Sequence, residues 1–460
     1  MGYEKASHKL TLVRDQLGIK PLYYYASKEC TVVASLTSTI QEVLGDAPEL
    51  DYLAMSEYVR YQFTFGDKTF FKPIKKVLPG HLIEIDLNRE EETKVICYED
   101  IFAPCTTPYR SLSPEWIAET RVLFRQCVID STISDTSFTT FCSGGLDSSF
   151  ITLLAKPEIA YHCNYSDPEC NETFFAQQVV EDTPIRLFTV NATESVDLVA
   201  KLGDIVKDFD EMTIGSVILP MDDILSHVKR RYKVILTGTG GDELFAGYVR
   251  YKLVMGQCLQ DSYKDLFAKM RKLKTTAERF EMTHHKGTAG FYAFYDPASE
   301  KNFYEAFEQC HAHSSPLQAM LRFDRRYFLA GLLNIDDKMS GRHSVEGRPS
   351  FLHQKMVRHV QGLDPEHLLG GEELKSVLRS IAEGVLPKSV IHRTDKMGFT
   401  TPIGTFVNRS SHRIREHIMD SPFRHLYNLS KMKFTADNKF SREVFGLLML
   451  DLWLNHYAKK

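Results

Sequence analysis

Phe138-Thr139-Thr140-Phe141-Cys142 runs into Ser143-Gly144-Gly145-Leu146-Asp147-Ser148-Ser149, and an apolar stretch, Phe150 to Ala155, follows at once. The first part is a short β-type run and the last reads as a helix. Between them lies a turn of small residues. Two adjacent glycines let the backbone approach a ligand closely and adopt φ values that other residues avoid. The hydroxyls of Ser143, Ser148 and Ser149 converge with free N–H groups at the positive end of a helix dipole, which suits phosphate oxygens. An ordinary strand-to-helix turn would explain a bare Ser-Gly-Gly. The full run, set between strand and helix, points to a phosphate site.

Working outward, short apolar runs alternate with helical stretches: Phe138–Cys142, Ile159–Tyr165, Ile185–Val190 and Lys233–Thr237. This alternation predicts an α/β fold, a parallel sheet with helices on both faces. Ser113-Pro114-Glu115 opens a helix that runs to about Asp130, with a capping hydroxyl and proline at the first helical position. From Tyr248 to the end the chain reads as almost entirely helical. Before residue 110 the pattern differs: Leu10–Val13, Leu22–Tyr25, Thr31–Ala34 and His81–Ile85 are short β runs separated by Gly, Pro and Asp, a mostly antiparallel region. The proline-rich segment from Ala103 to Pro114 reads as a linker, so two parts are expected, residues 1–110 and 111–460.

A second glycine-rich break ends a later β run: Val234-Ile235-Leu236-Thr237-Gly238-Thr239-Gly240-Gly241-Asp242-Glu243-Leu244-Phe245-Ala246-Gly247-Tyr248. Ligands of open α/β sheets sit outside the carboxyl ends of the strands. Asp147 and Asp242 both lie just past such ends, so they can face one site. Two carboxylates beside a polyphosphate suit Mg²⁺, which takes oxygen ligands and keeps several waters.

The bulk properties exclude other classes. With 56 basic against 60 acidic residues the net charge is −4, which offers no footprint for nucleic acid or an anionic membrane. Nine cysteines occur without a CxxC pair or Cys/His cluster, which argues against disulfides and zinc and for a reducing cytoplasm. The histidines of Thr283-His284-His285-Lys286 and of 311–313 read as solvated surface. Residues 1–15 contain no apolar signal-peptide core, and the longest apolar run, Val444 to Leu454, is interrupted by Asp451 and reads as a buried helix.

The Ser143–Ser149 run resembles the pyrophosphate-binding loop of the N-type ATP pyrophosphatases, the PP-loop (adenine nucleotide alpha-hydrolase-like) fold. No GxxxxGK[ST] sequence occurs. Over nearly the whole chain the motifs resemble asparagine synthetases of the glutamine-hydrolysing type. They include Arg14 to Tyr24, Leu78-Pro79-Gly80-His81, Asp210-Glu211, Thr237 to Tyr248, Asp337 to Glu346, Lys396-Met397-Gly398-Phe399 and Leu450-Asp451-Leu452-Trp453. The resemblance implies an ATP-dependent amide ligase. A carboxylate, best L-aspartate, attacks the α-phosphorus of ATP, pyrophosphate leaves from the loop, and ammonia displaces AMP to give the amide.

On this reading ATP binds at Phe141, Ser143, Gly144, Gly145, Asp147, Ser148, Ser149, Cys163, Thr237 and Gly238. Asp147 and Asp242 hold Mg²⁺, and Lys396 steadies developing phosphate charge. Residues 1–110 resemble the final part of an N-terminal-nucleophile glutaminase domain. Residue 2 is Gly and the first cysteine is Cys30, so the expectation is a partial, N-terminally truncated β-rich remnant without the nucleophile. A separate glutaminase subunit or a homodimer are the partners this implies.

Thr239 stands where many asparagine synthetases carry Glu, and a hydroxyl cannot act as a carboxylate base near neutral pH. Relatives that make lactams also change this position. Amide or lactam formation on another carboxylate is therefore the alternative enzyme reading, and a catalytically silent partner protein the alternative class.

Overall fold

The computed structural model describes residues 1–45, 48–88, 93–105, 107–193, 197–211, 215–257, 263–285, 288–312, 314–370, 373–393, 401–438 and 442–458. The N-terminal part holds two antiparallel sheets. One contains β1 (Gly2–Glu4), β2 (Lys9–Val13), β6 (His81–Asp86) and β7 (Thr93–Cys97), in the order β1-β2-β6-β7. The other contains β3 (Tyr23–Ala26), β4 (Thr31–Ala34) and β5 (Lys75–Lys76), in the order β4-β3-β5. The helix Pro114–Thr132 then starts as its sequence requires, with Ser113 Oγ accepting from the Trp116 amide at 3.2 Å and proline at its first turn.

The second part is built on a five-stranded parallel sheet. Its strands are β8 (Phe138–Phe141), β9 (Ile159–Asn164), β10 (Arg186–Asn191), β11 (Val234–Thr237) and β12 (Glu346–Pro349), in the order β10-β9-β8-β11-β12. Both faces are covered: Val234 and Leu236 enter one apolar core, while Ile235 between them enters the other. This is the two-sided burial of a parallel sheet. The strand order runs outward from β8 in one direction and then resumes on its other side at β11. The crevice between the carboxyl ends of β8 and β11 is therefore the switch point where such folds bind ligands. The glycine-rich breaks follow these two strands.

The region after Tyr248 is mostly helical but not wholly so. Glu346-Gly347-Arg348-Pro349 lacks alternation and contains a proline, yet it pairs in parallel with β11 as the edge strand. A proline is tolerated there because an edge strand has one side without ladder bonds. The helix Glu443–Tyr457 is buried along most of its length, as the apolar run implies. No helix among the described residues is long and apolar enough to cross a membrane.

The N-terminal residues do not pack by themselves. Among the described residues only a small cluster of buried side chains, Leu12, Tyr24, Val77, Ile83 and Ile85, belongs to them alone. Tyr61, Phe63 and Phe65 join one core of the second part, and Tyr23, Tyr58 and Phe71 join the other. Polar contacts tie the same boundary: Lys20 to Asp337 at 2.8 Å, Lys76 to Glu211 at 2.6 Å, and Ser38 N–H to Asp210 at 3.1 Å. Asp210 is buried and ion-paired with Lys338 at 2.7 Å, and the Trp453 indole donates to its carbonyl at 2.8 Å.

His284 departs from the surface reading of its tract. It is buried and bonded to Asp324 at 3.0 Å, because one helical turn points it into the aromatic core instead of outward. His313 lies outside the described residues.

Candidate functional site

Gly144 has φ +74°, and a Cβ there would lie 2.7 Å from both the Ala176 amide nitrogen and Phe175 Cβ. Only glycine lets the loop after β8 press against the neighbouring helix this closely. Ser143 Oγ and Ser148 Oγ lie 2.9 Å apart, and Ser148 Oγ also accepts from the Ser143 amide at 3.1 Å. Gly145 caps the helix Leu146–Ala155 with no side chain in the way. The loop thus presents hydroxyls and helix N–H groups together. Ser149 is the exception among the expected phosphate ligands. It is fully buried and its amide is already bonded to the Gly145 carbonyl at 3.1 Å, so the helix turns its side chain inward toward Cys142.

A cleft beside the loop, at the ends of β8 and β9, is lined by Phe141, Ser143, Tyr161, His162, Cys163 and Tyr165, among others. It brings Phe141, Ser143 and Cys163 to one place. On the other side, Gly238 abuts Asp147: a Cβ on Gly238 would sit 3.1 Å from Asp147 Cβ, and one on Gly241 would sit 2.5 Å from Asp147 Oδ1. The Thr237–Gly241 turn therefore folds over Asp147. Thr237 itself is buried, and its hydroxyl donates to Asp336 at 2.9 Å.

Asp147 and Asp242 meet at a single cation, the Lys375 ammonium. Its Nζ lies 2.5 Å from Asp147 Oδ2 and 2.8 Å from Asp242 Oδ1. Burial works against the charged amine, but the two carboxylates outweigh it and hold the ammonium above the ordinary lysine range. The lysine backbone is left-handed, φ +57°, a conformation unfavourable to a side-chain-bearing residue. Gly247 makes room for this triad, since a Cβ there would lie 2.0 Å from Asp242 Oδ1 and 2.2 Å from Lys375 Cε.

Asp147 Oδ2 and Asp242 Oδ1 thus converge on one positive charge, that of the Lys375 ammonium. Among the described residues no group of three or more His, Cys, Asp or Glu side chains is placed to hold a metal. Two oxygen ligands leave the remaining positions of Mg²⁺ to water and phosphate, which is its usual mode with nucleotides. The donor set fits.

Beside Asp242, Glu243 is fully buried, accepts from the Tyr248 hydroxyl, and is pushed up to about 7 by burial and then by Asp242. Lys396 lies outside the described residues. Just before that segment, Arg393 pairs with Glu172 at 2.9 Å and lies over the Phe175 ring at 3.8 Å, the residue packed on Gly144. Sequence reading missed Lys375 and Asp336 and gave Glu243 no role beyond being half of the carboxylate pair that ends the second glycine-rich break; Lys375 is one of 56 basic residues and carries no local signal.

Residues 119–455 match the family model described as asparagine synthase, and residues 1–96 match that of a glutamine amidotransferase domain. Asparagine synthetase [glutamine-hydrolyzing] 1 of Bacillus subtilis is 25% identical over 98% of this chain and 76% of its own length. Asparagine synthetase [glutamine-hydrolyzing] 3 of the same organism is 23% identical over 85% of this chain and 65% of its own length. A putative asparagine synthetase [glutamine-hydrolyzing] of Mycobacterium bovis is 23% identical, with 87% of this chain and 66% of that protein covered. The chain thus spans about two thirds to three quarters of the length of these relatives.

Proposed function

The chain belongs to the asparagine synthase family of ATP-dependent carbon–nitrogen ligases, and from that premise we propose that it activates a carboxylate as its adenylate and aminates it with ammonia. L-Aspartate, giving L-asparagine, AMP and pyrophosphate, is the best candidate substrate. The observation that carries the reading is the convergence of Asp147 and Asp242 on one cation beside the Ser143–Ser148 loop.

In this reading the amides and hydroxyls of Ser143, Gly144, Gly145 and Ser148 hold phosphate oxygens of ATP, with the nucleotide reaching the cleft at Phe141 and Cys163. Asp147 and Asp242 would hold Mg²⁺, which would supply neutralisation of phosphate charge. Lys375, which now lies between the two carboxylates, would add a second positive charge beside the phosphates. Lys396, by resemblance, steadies the charge that develops as pyrophosphate separates. The amidotransferase-like N-terminal part is tied to the ligase by Lys20–Asp337 and Lys76–Glu211; ammonia comes from solution or from a separate glutaminase subunit.

The test is to incubate the chain with ATP, Mg²⁺, ammonium and a panel of carboxylates and to separate the nucleotides. AMP and pyrophosphate in equal amounts, dependent on one carboxylate, is the expected result; stoichiometric ADP would refute it. Thr239 favours a second reading, a non-aspartate carboxylate, which the same panel decides.

A further inference from the structure

Among the described residues five aspartates are buried, and four of them have a basic side chain at hand. Asp210 pairs with Lys338 at 2.7 Å, Asp324 with Arg250 at 2.8 Å, Asp222 with Lys201, Arg342 and His343, and Asp451 with His417 at 3.0 Å. Asp336 is the fifth. It makes no ion pair among the described residues and receives two hydroxyls instead, Thr237 Oγ1 at 2.9 Å and Thr239 Oγ1 at 2.6 Å, both on its Oδ2. A carboxylate buried without a cation opposes stability, and such groups cluster at functional sites.

Its placement gives it a use. Thr239 is half-exposed and lies in the turn that covers Asp147, between Gly238 and Gly241, both of which touch that residue. The hydroxyl therefore joins a buried carboxylate to the ligand crevice. We propose that Asp336 is the proton acceptor of the amination step and acts through the Thr239 hydroxyl, supplying from the helix Leu329–Arg342 the base that position 239 itself lacks. The proposal rests on the reading above.

As the ammonia nitrogen forms its bond to the acyl carbon, the nitrogen loses a proton to Thr239 Oγ1, and the Thr239 proton passes to Asp336 Oδ2. The carbon–oxygen bond to AMP then breaks, and AMP departs with the bonding pair. The Asp336 carboxyl returns its proton to water by the same hydroxyl. Asp336 is a positioning and proton-holding residue here, since Thr239 alone would touch the substrate.

The charges acting on Asp336 are few. Asp337 on its own helix raises its affinity for a proton, and Lys20 from the N-terminal part lowers it. Among the described residues, β11 and the turn after it offer only the hydroxyls of Thr237 and Thr239, Gly347 of β12 approaches its carbonyl, and Lys338 is turned away to Asp210. Burial dominates and pushes the carboxyl up to about 6, a value at which it can accept and release a proton near neutral pH.

The experiment compares the full chain with Thr239→Val, Thr239→Ser and Lys20→Met, reading amide formation and pyrophosphate release across pH with saturating ammonia. Thr239→Val should lower the amination kcat by about 10²-fold or more, and Thr239→Ser should restore most of it, the scale of a lost proton relay. Lys20→Met should move the acid limb of the kcat profile to higher pH with the plateau unchanged, a shift that a merely structural Asp336 would not produce. Amination by Thr239→Val at the wild-type rate, or an unmoved limb in Lys20→Met, overturns the proposal alone. A wild-type chain that releases no pyrophosphate with any carboxylate overturns the functional reading and this proposal with it.

Discussion

Asp336→Asn should make the protein more stable at pH 7.5 and not at pH 4.5. The wild-type carboxyl is held at about 6 against an ordinary 3.8, first by burial, with the Thr239 and Thr237 hydroxyls opposing. A raised carboxyl value means that the folded chain keeps a proton which the unfolded chain has already released. Stability from this group is thus fully present below pH 3.8, declines as pH rises toward 6, and stays lost above it. The difference corresponds to about 3 kcal/mol at pH 7.5. Asparagine is neutral throughout, and its amide oxygen in the place of Oδ2 can still accept from both hydroxyls. The substitution should recover most of that amount at pH 7.5, about 2 kcal/mol after allowing for imperfect bonding. In a chain of this size unfolding as a unit, that is a rise of about 2 °C in melting temperature. Thermal melts of both proteins at pH 4.5 and 7.5 measure it. A variant-minus-wild-type difference that is the same at both pH values would refute the reasoning, because it would mean that Asp336 does not titrate differently in the folded state.

The remaining predictions concern the charged triad and the segment after Arg393. Asp147→Asn and Asp242→Asn should each abolish Mg²⁺-dependent pyrophosphate release while leaving the circular dichroism spectrum unchanged; an unaltered magnesium titration in either would separate the two residues. Lys375→Met should leave two carboxylates facing each other without their shared cation. The metal-free protein should melt lower, and added Mg²⁺ should raise its melting temperature more than it raises the wild type's; equal magnesium shifts would show that lysine and metal do not share the site. Lys396→Ala should lower kcat by about 10²-fold with the KM for ATP little changed, the pattern of a donor that acts in the transition state. A rise in KM alone would make it a binding group.

What the chain encodes locally could be read from it directly. The β8 turn and the β11 turn each lie within a dozen residues, and their glycines, hydroxyls and carboxylates mark two strand ends that open on one crevice. The cap at Ser113 and the apolar run at Val444–Leu454 are equally local. Such signals survive because backbone geometry and amphipathic period act over a few residues. Other features depended on partners far away in sequence. Glu346–Pro349 is a strand only because β11 offers it a parallel edge, and His284 is a core residue only because Asp324 and a ring of phenylalanines surround it. The sequence by itself determined which two glycine-rich turns would close on one crevice and which two carboxylates would meet there. Tertiary structure decided that Lys375, 228 residues from Asp147, holds those carboxylates together, and that Asp336, 97 residues from Thr239, stands behind that hydroxyl. The physical reason is that a charge or hydrogen bond acts over a few ångströms of space, and nothing in the order of residues records which distant side chains packing will bring within that range.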